Sequence, residues 1–485
     1  MQKYVKKTVA VSLCVGLMAP TLVACTKSGS GDSKSEKVLR IATTGYGNDE
    51  YLRQRFTELF EFANPNIKFE FISTSDDRYM YGGRPDPKEK PKDPMDKLKE
   101  VMTSDSPPDV VMVGYEQLPD LISNNMLKQL DQDIAKDKFD TSDIVPAVIE
   151  GIKKAGDGKI YALAPTFYSS ALIYNKKMFD EAGVQYPTDK MTWDQTFDLA
   201  RRLAKGEGEN RKYGFSFTPE NMGDDIYYAT RMYTAPLDLK TFDDKGEKMT
   251  VDSDQWEKVW KTLLQLKTEK ILPEPIDFSK RGNSGPNENP FDYDDFLSGR
   301  VAMSIIDYSN ISHYTNVMKN VANIKGLTAF DWDVVTVPVH QEAPEYGGRI
   351  GLDGLMGVNA KAQNPEDAWK FIKFINSEDW ARLKAGTSSN LVSRQKYIKP
   401  KDGAEFNIKA FTTLLPAPSR DNKIYREKPG LYDVERLGSQ KFQQVVQNKQ
   451  QVRDALKQWQ TEGDAMLQKI KENPNAQFDS MMQGG

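Results

Sequence analysis

Three pairs of neighbouring residues have side chains suited to holding a small molecule: Tyr115 with Glu116, Phe167 with Tyr168, and Asp307 with Tyr308. Tyr115 and Glu116 follow the β-branched run 109–113 (DVVMV), which has the composition of a buried strand. Asp307 and Tyr308 stand in the same relation to the apolar run that ends at Ile306. The carboxyl ends of strands are where open α/β sheets place their ligand contacts. Phe167 and Tyr168 lie between two short strand-like runs, 159–163 and 171–174, separated by Pro165 and small polar residues. This stretch, 166–170, reads as a crossing where the chain leaves one strand and enters another.

Catalytic and metal chemistry is harder to place. The chain has two histidines, His313 and His340, and neither lies in an H-E-x-x-H or other ligand-spaced context. Both cysteines, Cys14 and Cys25, fall within the first 25 residues, so the folded body has no thiol, disulfide or thiolate metal site. The aspartates between 131 and 143 lack the central Gly and terminal Glu of a calcium loop. The loop Thr44-Gly45-Tyr46-Gly47 lacks the G-K-[ST] ending of a phosphate loop. Asp292, Asp294 and Asp295 are clustered as a glycosidase would require, but they read better as charges favoured at a helix N-terminus. No G-x-S-x-G or S-x-x-K motif is present. The expectation is a protein that binds and does not catalyse, with no metal and no cofactor.

The elements that must position these residues are those of an α/β chain. With 485 residues, 38% of them hydrophobic, the chain is too long for one core. The net charge of −4 and the lack of a basic tract argue against nucleic acid as a partner. Strands are expected at 38–43, 68–72, 109–113, 213–217 and 332–338, with helices at 49–63 and 95–102. Thr192 and Gln195 form a capping box ahead of a helix starting at Trp193. Asp252 and Gln255 suggest another, and Asn364-Pro365 an N-cap followed by Pro at N1. A packed helix pair should close the chain after Lys441. Five glycines between 347 and 359 suit backbone lying close to something else. The Pro- and Lys-rich stretch 76–94 is an excursion, and Tyr79 or Tyr81 within it is a minor candidate for covering a site.

Residues 1–24 have a basic start and a short apolar run, the pattern of a signal peptide. The run ends Leu22-Val23-Ala24-Cys25, which resembles a bacterial lipobox with Cys25 as the lipidated residue. Residues 26–37 (TKSGSGDSKSEK) have a tether's composition and a root-mean-square reach of roughly 20 Å.

The blocks 104–134, 158–205, 296–305, 333–339 and 357–379, in that order, resemble the family 1 extracellular solute-binding proteins of ABC importers, the group that includes maltodextrin-binding protein. The resemblance implies the two-lobed α/β periplasmic-binding-protein type II fold, with a cleft between lobes and three hinge crossings. By position these fall near 166–170, 335–338 and 376–380. The N-lobe would then comprise 38–167 and 338–377, and the C-lobe 168–337 and 378–485. The implied role is capture of a carbohydrate, an oligosaccharide above all, at the outer face of the bacterial membrane, anchored at Cys25. Delivery would be to permease subunits on separate chains. The sugar-binding branch stacks aromatic rings on pyranose faces and uses carboxylates for hydroxyls. That makes Thr44, Tyr46, Tyr115, Glu116, Phe167, Tyr168, Asp307, Tyr308 and Asp353 the candidate ligand contacts, with Tyr432 added by analogy to a late aromatic of the maltodextrin group. The same fold could instead hold a polyamine, a peptide or ferric iron.

Overall fold

The computed structural model describes residues 36–45, 49–75, 93–220, 226–274, 290–401, 403–417 and 423–474. The leader, Cys25, the tether up to residue 35, Tyr46, Tyr79 and Tyr81 lie outside them, and Lys37, taken as the tether's end, already begins the first strand. The first strands are β1 (Lys37–Thr43), β2 (Ile67–Ser73), β3 (Val110–Met112) and β4 (Ala162–Leu163). Then come β5 (Thr166–Asn175), β6 (Met303–Asp307), β7 (Trp332–Thr336) and β8 (Tyr346–Gly347). The last are β9 (Ile350–Asp353), β10 (Met356–Val358), β11 (Leu391–Val392) and β12 (Leu415–Pro416). One sheet runs β2-β1-β3-β10-β4; β1 is parallel to both its neighbours, and β10 is antiparallel to both of its own. The other is organised on β5, which pairs with β6, β7, β9 and β11, and β8 and β12 form a small parallel ribbon.

Local chemistry accounts for most of these elements. Leu39 and Ile41 of β1 are fully buried, and the helical stretch 49–63 that follows it sets Phe60 edge-on to Phe69, Phe371 and Phe374. The Thr192 capping box forms in both directions, Gln195 N–H donating to Thr192 Oγ1 at 3.2 Å and Thr192 N–H to Gln195 Oε1 at 2.9 Å. The helix behind it, Trp193–Leu203, buries Trp193, Phe197, Ala200 and Leu203. Near the carboxyl terminus, the helices Leu431–Val446 and Val452–Glu472 pack with Asp254–Thr268, and Trp260 stacks on Trp459 at 5.6 Å. Alternate residues of β5 feed two cores, Ala171 and Ile173 one and Leu172 and Tyr174 the other, as the strand's two-residue period requires.

Several expectations need correction. The stretch 166–170 is no break: β5 is continuous, because β9 and β11 pair with the backbone of its first residues. The second expected crossing, 335–338, lies inside the second core, where Val335 and Val337 are buried. The chain instead passes toward the first sheet along β9, which leads directly into β10. The third, at 376–380, does not leave the first sheet's side. Ser377 caps a further helix, Glu378–Lys384, whose Trp380 is buried, and Tyr397 still bonds to Glu378. Leu391 and Val392 then pair with the first residues of β5 as β11, and further on Phe406 packs 5.7 Å from Trp332 and Asn407 bonds to Asp333 of β7. Within 378–397, assigned to the second lobe from sequence, the buried Trp380, Leu391 and Val392 belong to the first core, while β11 pairs with β5. The cap of the helix Asp254–Thr268 is Ser253, not Asp252. Residues 213–217 form isolated bridges instead of a strand, and 290–299 form turns instead of a helix start.

Within those turns Asp294 is buried, accepting from Leu297 N–H at 2.7 Å and from the Tyr314 hydroxyl. Burial pushes its carboxyl up from 3.8 to about 6; the bonds from Tyr314 and Leu297 oppose the rise and nearby Glu220 adds to it. The folded state thus holds this proton more tightly than the unfolded chain. Its stabilising contribution is complete below about pH 4 and is lost as pH rises through about 6. Asn can keep the bond from Leu297 N–H, can donate its amide to the Tyr314 oxygen in place of accepting from it, and does not titrate. Thermal melts of Asp294→Asn should therefore gain on the parent chain as pH rises over that window, by at most about 3 kcal/mol. Parallel pH profiles of the two chains would refute the assignment.

Candidate functional site

The exposed face of β5 supplies the centre of the site. Nine of its ten residues are buried, and Tyr168 is the exception, 51% exposed. Register places Tyr168 opposite Gly351 of β9, and a methyl group on Gly351 would stand 2.0 Å from the Tyr168 hydroxyl. The ring therefore lies across the glycine, which leaves its other side to solvent. Partial burial raises the Tyr168 pKa; the carboxylates of Glu116, Asp353 and Asp307 add to the rise and Arg349 opposes it. The Tyr168 hydroxyl thus lies within the electrostatic reach of three carboxylates and a guanidinium.

Each of these groups is held by its own contacts. Glu116 lies in the short helical turn Tyr115–Gln117 after β3 and folds back over Gly114, where a Cβ would meet its carboxylate at 2.2 Å. Gln117 fixes that turn, its Oε1 accepting from Gly114 N–H at 3.0 Å and from the Thr44 hydroxyl at 2.8 Å. Thr44 thus supports the site through Gln117. Asp307, at the end of β6, accepts from the Ser170 hydroxyl and from Arg349 Nη2 at 3.0 Å. Asp353, at the end of β9, accepts from Thr166, Asn390 and Arg55.

Beside Glu116 a cleft of about 240 Å³ opens between the helix Pro146–Ala155 and the β8–β12 ribbon. Tyr115, Glu116, Lys154, Tyr346 and Pro416 line it. The Tyr115 hydroxyl donates to Gly151 O at 2.9 Å, and burial, with Tyr346 nearby, raises its pKa. Lys154 Nζ sits 4.7 Å from the centre of the Tyr346 ring and donates to its hydroxyl.

Two candidates belong to the core instead. Phe167 is fully buried, because a residue next to Tyr168 on a strand points to the opposite face. Tyr308 is 7% exposed, edge-on to Phe411 at 5.4 Å, with Lys401 over its ring. Tyr432 is exposed, and its ring partner is Tyr425 at 5.0 Å, outside the group around Tyr168. Tyr346, Lys154, Arg349, Arg55 and Asn390 were not foreseen. Tyr346 borders the glycine-rich run 347–359 and Arg349 lies within it, and both could have been found by asking what lies against those glycines. Arg55 and Asn390 carry no local signal, since each reaches Asp353 from a distant part of the chain. Among the described residues no group of His, Cys, Asp or Glu could hold a metal ion, and no helix is long and apolar enough to cross a membrane.

The family model for bacterial extracellular solute-binding proteins matches residues 45–382. The chain belongs to this family. A relative from Brucella abortus (strain 2308), named as a binding protein, is 24% identical over 396 residues, covering 78% of this chain and 84% of its own. Among solved structures, the sugar-binding protein MalE from Xanthomonas citri aligns with a TM-score of 0.59 at 16% identity, over 91% of this chain and all of its own. An ABC substrate-binding protein from Listeria monocytogenes, in complex with cycloalternan, gives 0.52 at 20% identity over 90% of this chain and 100% of its own. At these identities the likeness shows the fold: this solute-binding protein has the two-lobed α/β architecture.

In the solute-binding protein Gly351 acts as the seat of the Tyr168 ring. Its backbone lies outside the positive-φ region, so alanine is conformationally allowed there. Gly351→Ala should push the ring into solvent and lower the raised Tyr168 pKa toward the ordinary tyrosine value of 10.0. NMR titration with ring-labelled tyrosine, assigned by Tyr168→Phe, measures this, and an unmoved Tyr168 resonance would count against the seat.

Proposed function

We propose that this solute-binding protein captures a carbohydrate, an oligosaccharide in preference to a single sugar, and delivers it to the permease of an ABC importer. The observation that carries the reading is the half-exposed Tyr168 ring among Glu116, Asp307 and Arg349. A pyranose presents an apolar C–H face bordered by hydroxyls. An aromatic ring covers that face without requiring a donor, while carboxylates accept from the hydroxyls and a guanidinium donates to them. The cleft at Tyr115 and Tyr346 adjoins Glu116 and offers room beyond one ring, which favours a chain of sugars. The named ligands of the fold's relatives, cycloalternan for one, point the same way.

Capture would proceed by closure of the two lobes on the solute, with β5 and β9 among the connecting segments. A ligand contacted by both sides favours the closed arrangement by the contacts made only there. Lipidation at Cys25, followed by the tether, would hold the protein at the outer face of the membrane while the body reorients.

A melting-shift screen over oligosaccharides tests the substrate class, because a ligand bound only to the native state raises its stability by mass action. At least one oligosaccharide should raise the melting temperature, and Tyr168→Ala should weaken its binding by about tenfold, or ~1.4 kcal/mol, without lowering the melting temperature of the free protein. Stabilisation by polyamines, peptides or ferric citrate and by no sugar would overturn the carbohydrate reading. Cys25→Ser, in turn, should move the protein from the membrane fraction to the medium. Retention of that variant on the membrane would refute lipidation at Cys25.

A further inference from the structure

Asp353 is the point where four separated parts of the chain meet. Its Oδ2 accepts from Thr166 Oγ1 at 2.5 Å, from Asn390 Nδ2 at 2.9 Å and from the Arg55 guanidinium. Thr166 is the first residue of β5 and is the register partner of Asp353, the last of β9. Asn390 directly precedes β11, which pairs with the other edge of β5. Arg55 comes from the helical stretch on the first sheet's side, within the π-turn Arg53–Thr57. The backbone is pinned at the same place. Gly354 has φ +66° with Phe56 beneath it, and a Cβ there would stand 2.5 Å from that ring.

Exposure separates this carboxylate from Asp307, which ends β6 opposite Ser170, just beyond the β5–β9 pair. The Asp307 and Arg349 side chains are 37% and 45% exposed, as groups awaiting a solute would be. Those of Asp353 and Arg55 are 20% and 25% exposed. Charge-assisted hydrogen bonds are the strong ones, and leaving such a group without its partner is costly away from bulk water.

We propose that Asp353 is a positioning residue and not a solute contact: by tying Thr166, Asn390 and Arg55 together it fixes how β5 and β9 leave the first sheet, and so sets the balance between open and closed forms before any solute arrives. The assignment rests on the closure reading above. It revises the expectation that Asp353 binds the solute.

Single-molecule FRET on the unliganded chain tests it. With Cys25 and the leader removed the body contains no cysteine, so Lys136→Cys on the first sheet's side and Lys177→Cys on the second's, both exposed, take the dyes. Asp353→Asn and Arg55→Gln should each change the ratio of open to closed molecules by at least ~3-fold. The double variant should do no more than either, since the two act through one bond. Asn390→Ala, which leaves the ion pair intact, should shift the ratio less and in the same direction, and carries the test if Asp353→Asn fails to melt cooperatively. An unchanged distribution in every cooperatively folded variant overturns the proposal. Failure of the closure reading is distinguishable, because the parent labelled chain would then give one distribution that no stabilising sugar alters.

Discussion

The antiparallel pairing of β5 with β9 is the constraint on which the rest of the molecule depends. β5 serves two neighbourhoods with one backbone, its first four residues pairing with β9 and its last six with β6 and β7. A strand has a period of two, so the register that buries Phe167 also exposes Tyr168 and sets it over Gly351. A slip of one residue would bring Phe167 to the surface and drive the Tyr168 phenol into the core. The ladder therefore specifies the core and the candidate site by the same hydrogen bonds, and the glycine at 351 is required because the ring uses the space a side chain would fill.

The charges around Tyr168 divide by how firmly they are held. Arg349 and Asp307 form an ion pair exposed enough for water to screen, of the kind worth about 0–1 kcal/mol. Such a pair can give up its mutual bond to a polar ligand at little loss, and its two members then offer a donor and an acceptor side by side. Asp353 is different, with three donors on one oxygen and less access to water. Two aspartates, one ending β6 and one ending β9 against the same strand β5, thus have different capacities, set by exposure and number of donors and not by residue type. Sequence alone gives them equal standing.

What could be read in advance followed the range of the interactions concerned. Thr192 and Gln195 announce their helix because both caps act within four residues, and the run before Tyr115 announces a buried strand because its β-branched composition is a local signal. The terminal helix pair was legible for the same reason. Of the candidate residues, Tyr115 and Glu116 follow β3 and Asp307 ends β6, as their strand-end positions suggested, whereas Tyr168 lies inside β5. The second and third crossings were not legible. Residues 335–338 and 376–380 look like exits, but the first is buried between Val335 and Val337 and the second is followed by a newly capped helix at Ser377. Arg55 and Asn390 were invisible because nothing in sequence joins positions 55, 166, 353 and 390. Only the paired strands bring them together.

The distribution of packing bears on where motion can occur. A lobe that closes on a solute must move as a unit, and well-packed cores change between discrete arrangements instead of deforming continuously. The second core has this character: Trp260 and Trp459 stack, Phe442 packs edge-on to Trp260, and the carboxyl-terminal helices return to the same core that β5 feeds with Leu172 and Tyr174. The first core has a matching cluster in Phe60, Phe69 and Phe371. Between them the ribbon at 166–169 and 350–353 is held by few side chains, with Asp353 at one end, Tyr168 within it, and Asp307 of β6 just beyond the other end. A change in the angle of that ribbon would move Tyr168 together with Asp307 and Asp353, so the groups proposed to sense the solute are built on the segment proposed to bend. Binding and closure would then be coupled through one pair of strands, with no separate relay between site and hinge.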